Sequence, residues 1–108
     1  MANLLPSLRE KKRYLVFEVI GNASCSDAVS SVKNSFSGLF GSLEAANADV
    51  SNIKSSGNKC MVRIGRKYVD KVKASMAIVK RINNSTIILR SIGVSGSLKR
   101  ASKYFNGG

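Results

Sequence analysis

The chain has 108 residues, 44% of them hydrophobic: enough for one domain with its own core, too few for two. Eighteen Lys and Arg against six Asp and Glu leave a net charge of +12, which draws the chain to polyanions, nucleic acid before acidic membrane. With no His there is no His-based nucleophile pair and no His metal ligand. The few, widely spaced carboxylates signal no paired acid–base site, so neither catalytic nor metal-binding residues are assigned.

In chain order, residues 1–12 read as an N-terminal arm held by Leu4, Leu5 and Leu8 around Pro6. Residues 13–20, RYLVFEVI, are β-branched and aromatic without clean alternation, the pattern of a strand buried on both faces. Residues 24–40 read as a helix with Ser26 as N-cap and Asp27 in its first turn. Val29, Val32, Phe36, Leu39 and Phe40 face the core at helical spacing, and Gly41 stops the helix. A second strand is expected to end near Ile53-Lys54, followed by a turn at residues 55–58 and a third strand at 59–64, the last two strands forming a hairpin.

Residues 66–82 read as the second long helix, with an apolar stripe of Val69, Val72, Met76, Val79 and Ile82 closed by Asn83-Asn84. Lys71, Lys73, Lys80 and Arg81 fall outside the stripe as solvated charge. Residues 86–94 form a strand, 95–97 a turn, and 98–105 a short C-terminal helix capped by Ser95 or Ser97. The order β-α-β-β-α-β predicts an α+β fold, a two-layer αβ sandwich of ferredoxin-like or RRM-like type in a single domain over 1–108, with both long helices on one sheet face. The other sheet face, or the strand edge after Ile53, is left as a protein interface.

Cys25 and Cys60, 35 positions apart and outside any CxxC motif, read as buried thiols in a reducing compartment, with a disulfide as the alternative. No apolar run reaches the roughly 18 residues of a membrane span, and the N-terminus lacks the order of a signal peptide, so the chain reads as cytoplasmic.

The positive charge is segregated. Residues 1–56 hold six basic and five acidic side chains; residues 57–108 hold twelve basic and one acidic, Asp70. Three clusters are candidates for contact with RNA phosphates: Arg9, Lys11, Lys12 and Arg13; then Arg66 and Lys67 at a helix start; then Ser95, Gly96, Ser97, Lys99, Arg100 and Lys103, a Gly/Ser turn opening a helix. The third strand, KCMVRI, has no aromatic residue and no RNP1 pattern, so base stacking on the sheet is not expected. Each cluster has a plainer reading as solvated arm, solvated first turn or simple strand-to-helix turn. On residues alone, a ribosomal-type RNA-scaffold protein stays open beside other RNA-binding roles. A ligand-sensing ferredoxin-like domain and a stand-alone nuclease fit the charge and the missing chemistry poorly.

The blocks LPSLREKKRY at 5–14, RKYVDKVKASMA at 66–77 and IGVSGSLKR at 92–100 together resemble the archaeal ribonuclease P protein component 2 family. Residues 44–58 match that pattern poorly, and Ser97 stands where the family usually has Thr. The resemblance implies an RRM-like αβ sandwich and an accessory role in removing 5′ leaders from precursor tRNA. It implies that the enzyme's RNA carries catalysis through bound Mg²⁺, with no cofactor bound by this chain. The implied partners are the ribonuclease P RNA, protein component 3 and the other protein subunits, with two pairs joining through this subunit into a heterotetramer, and no membrane. The lack of an acidic C-terminal tail points to an archaeal source.

Overall fold

The structure, a computed structural model, describes residues 11–106. Most of the expected arm, Arg9 included, therefore lies outside the described residues. The elements are β1 (Lys12–Ile20), α1 (Cys25–Phe40), α2 (Ser42–Ala48), β2 (Ser51–Ser56), β3 (Lys59–Gly65), a 3₁₀ turn (Arg66–Tyr68), α3 (Val69–Ile78), β4 (Arg81–Ile82), β5 (Ser85–Thr86), β6 (Ile88–Ser95) and α4 (Leu98–Asn106). The main sheet runs β2-β3-β1-β6 with every pairing antiparallel, and β4-β5 form a separate small hairpin. This is the ferredoxin-like order that the element pattern predicts.

β1 is buried on both faces, as its unbroken apolar run requires. Leu15, Phe17 and Val19 point into the layer of α1 and α3, while Val16 joins Met61 and Ala101 on the opposite side. The main core closes between the sheet and α1 through Ala28, Val29, Val32 and Phe36, and α3 through Val72 and Met76. Ser75 is fully buried at the α1–α3 contact. Its hydroxyl donates to the Lys71 carbonyl at 2.9 Å, and Ser35 Oγ donates to the Ser75 carbonyl at 3.0 Å, so no buried polar atom there lacks a partner.

Several local expectations change. Ser24, not Ser26, caps α1, its Oγ accepting from the Asp27 amide at 3.2 Å. Leu39 ends up 47% exposed instead of facing the core. Residues 42–48, where no helix was expected, form α2; it stops at Asp49 in the left-handed region (φ 49°), and β2 follows. Gly41, at φ 94°, makes the break between α1 and α2.

The second long helix is shorter than its apolar stripe. α3 ends at Ile78, and Arg81-Ile82 leaves as a strand, so Ile82 reaches the core from β4 instead. Asn83 and Asn84 both have positive φ (51° and 67°), the two-residue turn of the β4-β5 hairpin rather than a helix stop. Thr86 accordingly belongs to β5, and β6 begins at Ile88.

Cys25 and Cys60 are joined by a disulfide, with Cα atoms 5.7 Å apart, in place of the expected free thiols. The start of α1 lies over the inward-facing register of β3, a juxtaposition that 35 residues of separation conceal. Among the described residues no helix is long and apolar enough to cross a membrane.

The second sheet face is not left open. α4 lies on it, seated through Ala101 on Val16 and Met61, with Tyr14, Ile92, Tyr104 and Phe105 half-buried around them. A Cβ on Gly93 would overlap the Tyr104 ring, its nearest carbon at 2.3 Å, so glycine is what lets the ring lie flat on β6. Lys59 Nζ donates to the carbonyls of Tyr104 (3.3 Å) and Phe105 (3.5 Å), placing a cation at the negative end of the α4 dipole.

Candidate nucleic-acid interface

The three basic clusters are far apart in sequence, and the antiparallel sheet gathers them. β1 starts where its two neighbours end: Lys12 pairs with Gly65 and Arg13 with Ile64 on β3, while Tyr14 pairs with Ser95 on β6. The Arg66 amide donates to the Lys11 carbonyl at 2.7 Å, tying the second cluster to the first. The Arg13 guanidinium lies against Gly96, its Nη1 3.4 Å from where a Cβ on that glycine would sit, which ties the first cluster to the third. Lys11, Lys12, Arg13, Arg66, Lys67, Ser95, Gly96 and Ser97 thus share one end of the sheet.

α4 begins at that same end. Ser97 caps it, its Oγ accepting from the Arg100 amide at 3.1 Å, and Ser95 Oγ accepts from the Ser97 amide at 3.2 Å. Each hydroxyl spends a lone pair on its own turn and keeps its O–H to donate outward. Lys99 and Arg100 are exposed in the first turn of α4, and Lys103 is exposed one turn further on.

The cations differ in how available they are. Lys11, Arg66 and Lys67 are exposed. Lys12 stands 3.9 Å from Asp49, and Arg13 Nη1 donates to the Lys12 carbonyl at 3.0 Å. Lys71, expected to be solvated, is instead 2.9 Å from Glu44 and sits over the Phe40 ring at 5.1 Å. Tyr68 Oη also donates to Glu44, at 3.3 Å. These donors, Lys71 foremost, hold the Glu44 carboxyl below its ordinary value of 4.5. On the α4 side of the sheet Glu18 is lowered likewise, first by Arg90, whose Nη2 and Nε donate to one carboxylate oxygen at 2.7 and 3.0 Å, then by Asn58.

Two cations that the sequence clusters omit also belong to the α4 face. Arg63 alternates on β3 with Met61, which packs under α4, and pairs across with Tyr14. Lys54 pairs with Met61 from β2, its Nζ 5.5 Å over the Phe105 ring. The alternation Lys59, Met61, Arg63 is visible in the sequence, but a strand expected to have an open far face gave it no helix to flank.

This arrangement suits phosphate contacts from converging cations and hydroxyls and leaves no aromatic platform for bases, since Tyr14, Tyr104 and Phe105 are used in packing. The family model that matches the chain, over residues 13–106, is that of the Rpp14/Pop5 family. Ribonuclease P protein component 2 of Methanosarcina mazei is 40% identical over 107 residues, 97% of this chain and 92% of that protein. The protein of the same name from Thermococcus kodakarensis is 34% identical, covering 94% of this chain and 88% of its own length. In fold, the structure is similar to a chain in the cryo-EM structure of yeast ribonuclease MRP: TM-score 0.60 at 10% identity, covering 92% of this chain and 94% of that one.

Proposed function

The chain belongs to the Rpp14/Pop5 family and is a ribonuclease P protein subunit, and on that premise we propose that it serves the complex by holding RNA phosphates without itself carrying out catalysis. The observation that carries this reading is the meeting of three separate basic clusters at one end of the sheet. Lys11, Lys12, Arg13, Arg66, Lys67, Lys99, Arg100 and Lys103 supply charge, Ser95, Gly96 and Ser97 supply hydroxyls and close backbone approach, and Arg9 is assigned with them from the sequence cluster alone. The positive end steers and holds the RNA, while the RNA supplies the reacting groups.

Two features support a non-catalytic role. Glu18 and Glu44 are engaged with Arg90 and Lys71, and the chain has no His. Among the described residues no group of three or more metal-ligating side chains converges. In the same reading Mg²⁺ is used by the RNA of the complex and not bound by this subunit. Protein component 3 is the proposed protein partner, with self-association into a heterotetramer and a cytoplasmic site of action in the same reading.

Reconstitution tests it. The RNA, component 3 and precursor tRNA at limiting Mg²⁺ are compared with and without this chain; 5′ cleavage rises when it is present. Lys99→Ala with Arg100→Ala lowers that gain and leaves the circular dichroism unchanged. Cleavage indifferent to the chain overturns the accessory role.

A further inference from the structure

The charge of the helices divides by sheet face. α1, α2 and α3 together carry Lys33, Lys71 and Lys73 against Asp27, Glu44 and Asp70, which cancel. The opposite face carries Lys54, Lys59, Arg63 and Arg90 from the strands and Lys99, Arg100 and Lys103 from α4, against Glu18 alone. Glu18 is taken by Arg90, and Lys59 is spent on the end of α4. Lys54, Arg63, Lys99, Arg100 and Lys103 have no carboxylate partner among the described residues. They border a single helix that stands proud of the sheet.

We propose that this whole α4 face, and not only the end where the clusters meet, is a docking surface for double-stranded RNA, with α4 as the ridge that follows the duplex and Lys54 and Arg63 as phosphate contacts beside it. The inference rests on the RNA-binding role proposed above and extends it to a kind of partner. Three arguments select a duplex. The rings on this face are half-buried in packing, so unstacked bases find no platform there. A-form RNA offers a wide, shallow minor groove bordered by phosphates and 2′-hydroxyls, which a convex helix can enter while flanking cations reach the backbone. Lys99 and Lys103 lie one helical turn apart, about 6 Å along α4, so the ridge presents charge in steps along its length.

The probes are an RNA duplex of about 16 base pairs and a single strand of equal length, each titrated with the full chain across a salt series. The duplex is expected to bind more tightly than the single strand. Lys54→Gln with Arg63→Gln weakens duplex binding about tenfold and lowers the salt slope by about 2, one per lost phosphate contact. Lys33→Gln with Lys73→Gln, on α1 and α3, stays within about twofold. Lys54→Arg with Arg63→Lys keeps the charge and the affinity, which separates loss of contact from loss of fold; Lys54→Gln alone, at an exposed site, repeats the measurement if the double variant is unstable. A preference for the single strand, or equal losses from the two faces, overturns the proposal. If Lys99→Ala with Arg100→Ala weakens binding and the Lys54 and Arg63 changes do not, the α4-face surface falls and the phosphate-binding end stands. If none of them weakens it, both readings fall.

Discussion

On one side of the sheet eighteen buried residues lock α1 and α3 against β1, β3 and β6; on the other, among the described residues, only Val16, Met61 and Ala101 are buried beneath α4. The thick side is electrically neutral in its helices, whereas the α4 side carries seven cations against Glu18 alone. Both sides answer to the same constraint. Each side is held by the apolar surface it takes out of water, and the thick side buries far more of it, while like charges crowded on the α4 face repel one another. The thin side keeps just enough apolar contact to hold α4 in one orientation.

Removing apolar volume should therefore separate the sides most clearly. Phe36→Ala on the thick side is expected to cost about 3–5 kcal/mol in calorimetric unfolding. Tyr104→Ala on the thin side is expected to cost about 1–2 kcal/mol, because the ring is only half-buried. Equal losses would break the comparison.

The disulfide sharpens it from the side of chain entropy. It spans 35 residues and ties α1 to β3 within the thick core. Replacing both cysteines by Ala is expected to lower stability by about 3–4 kcal/mol, read as a lowered denaturant midpoint with the cleavage-supporting activity retained at low temperature. A midpoint that does not move under added dithiol, with the thiols shown to be free, would remove the bond from the account of stability.

Gly93→Val tests how α4 is seated. The added side chain displaces the Tyr104 ring, a change expected to cost about 1–3 kcal/mol and to alter the near-ultraviolet aromatic signal while the sheet persists. RNA affinity should fall with it, since Lys99, Arg100 and Lys103 move with the helix. An unchanged aromatic spectrum would show that α4 sits elsewhere.

The smallest effect lies in pH. Glu18 and Glu44 both titrate below the ordinary 4.5 in the folded chain, through Arg90 and Lys71 respectively. Their ion-pair stabilisation is whole above that value and is lost as pH falls through the lowered folded values. Glu18→Gln should therefore be slightly less stable than the parent near neutrality, with the difference shrinking below pH 4.5. Melting temperatures across that range measure it, and Glu44→Gln should behave alike on the opposite side.

Much of this design is legible before folding. The unbroken apolar run of β1 marks a strand covered on both faces, and Ser95-Gly96-Ser97 marks the turn that opens α4. The sequence does not announce α2, because its seven residues carry little helical pattern of their own; Glu44 is fixed by Lys71 and Tyr68 from another part of the chain. The apolar stripe past Ile78 reads as more helix because Ile82 keeps the spacing, although Asn83 and Asn84 take left-handed angles and turn the chain into a hairpin.

Local pattern by itself determined the order of the four main strands with α1, α3 and α4, the ferredoxin-like class, the excess of positive charge and the three basic clusters, because propensity, period and charge are properties of neighbouring residues. What only the tertiary structure decided is where those clusters meet, which face α4 covers, and that Cys25 reaches Cys60. Each of these depends on strand pairing between segments distant along the chain, and the antiparallel register of β1 with β3 and β6 brings their ends to one place.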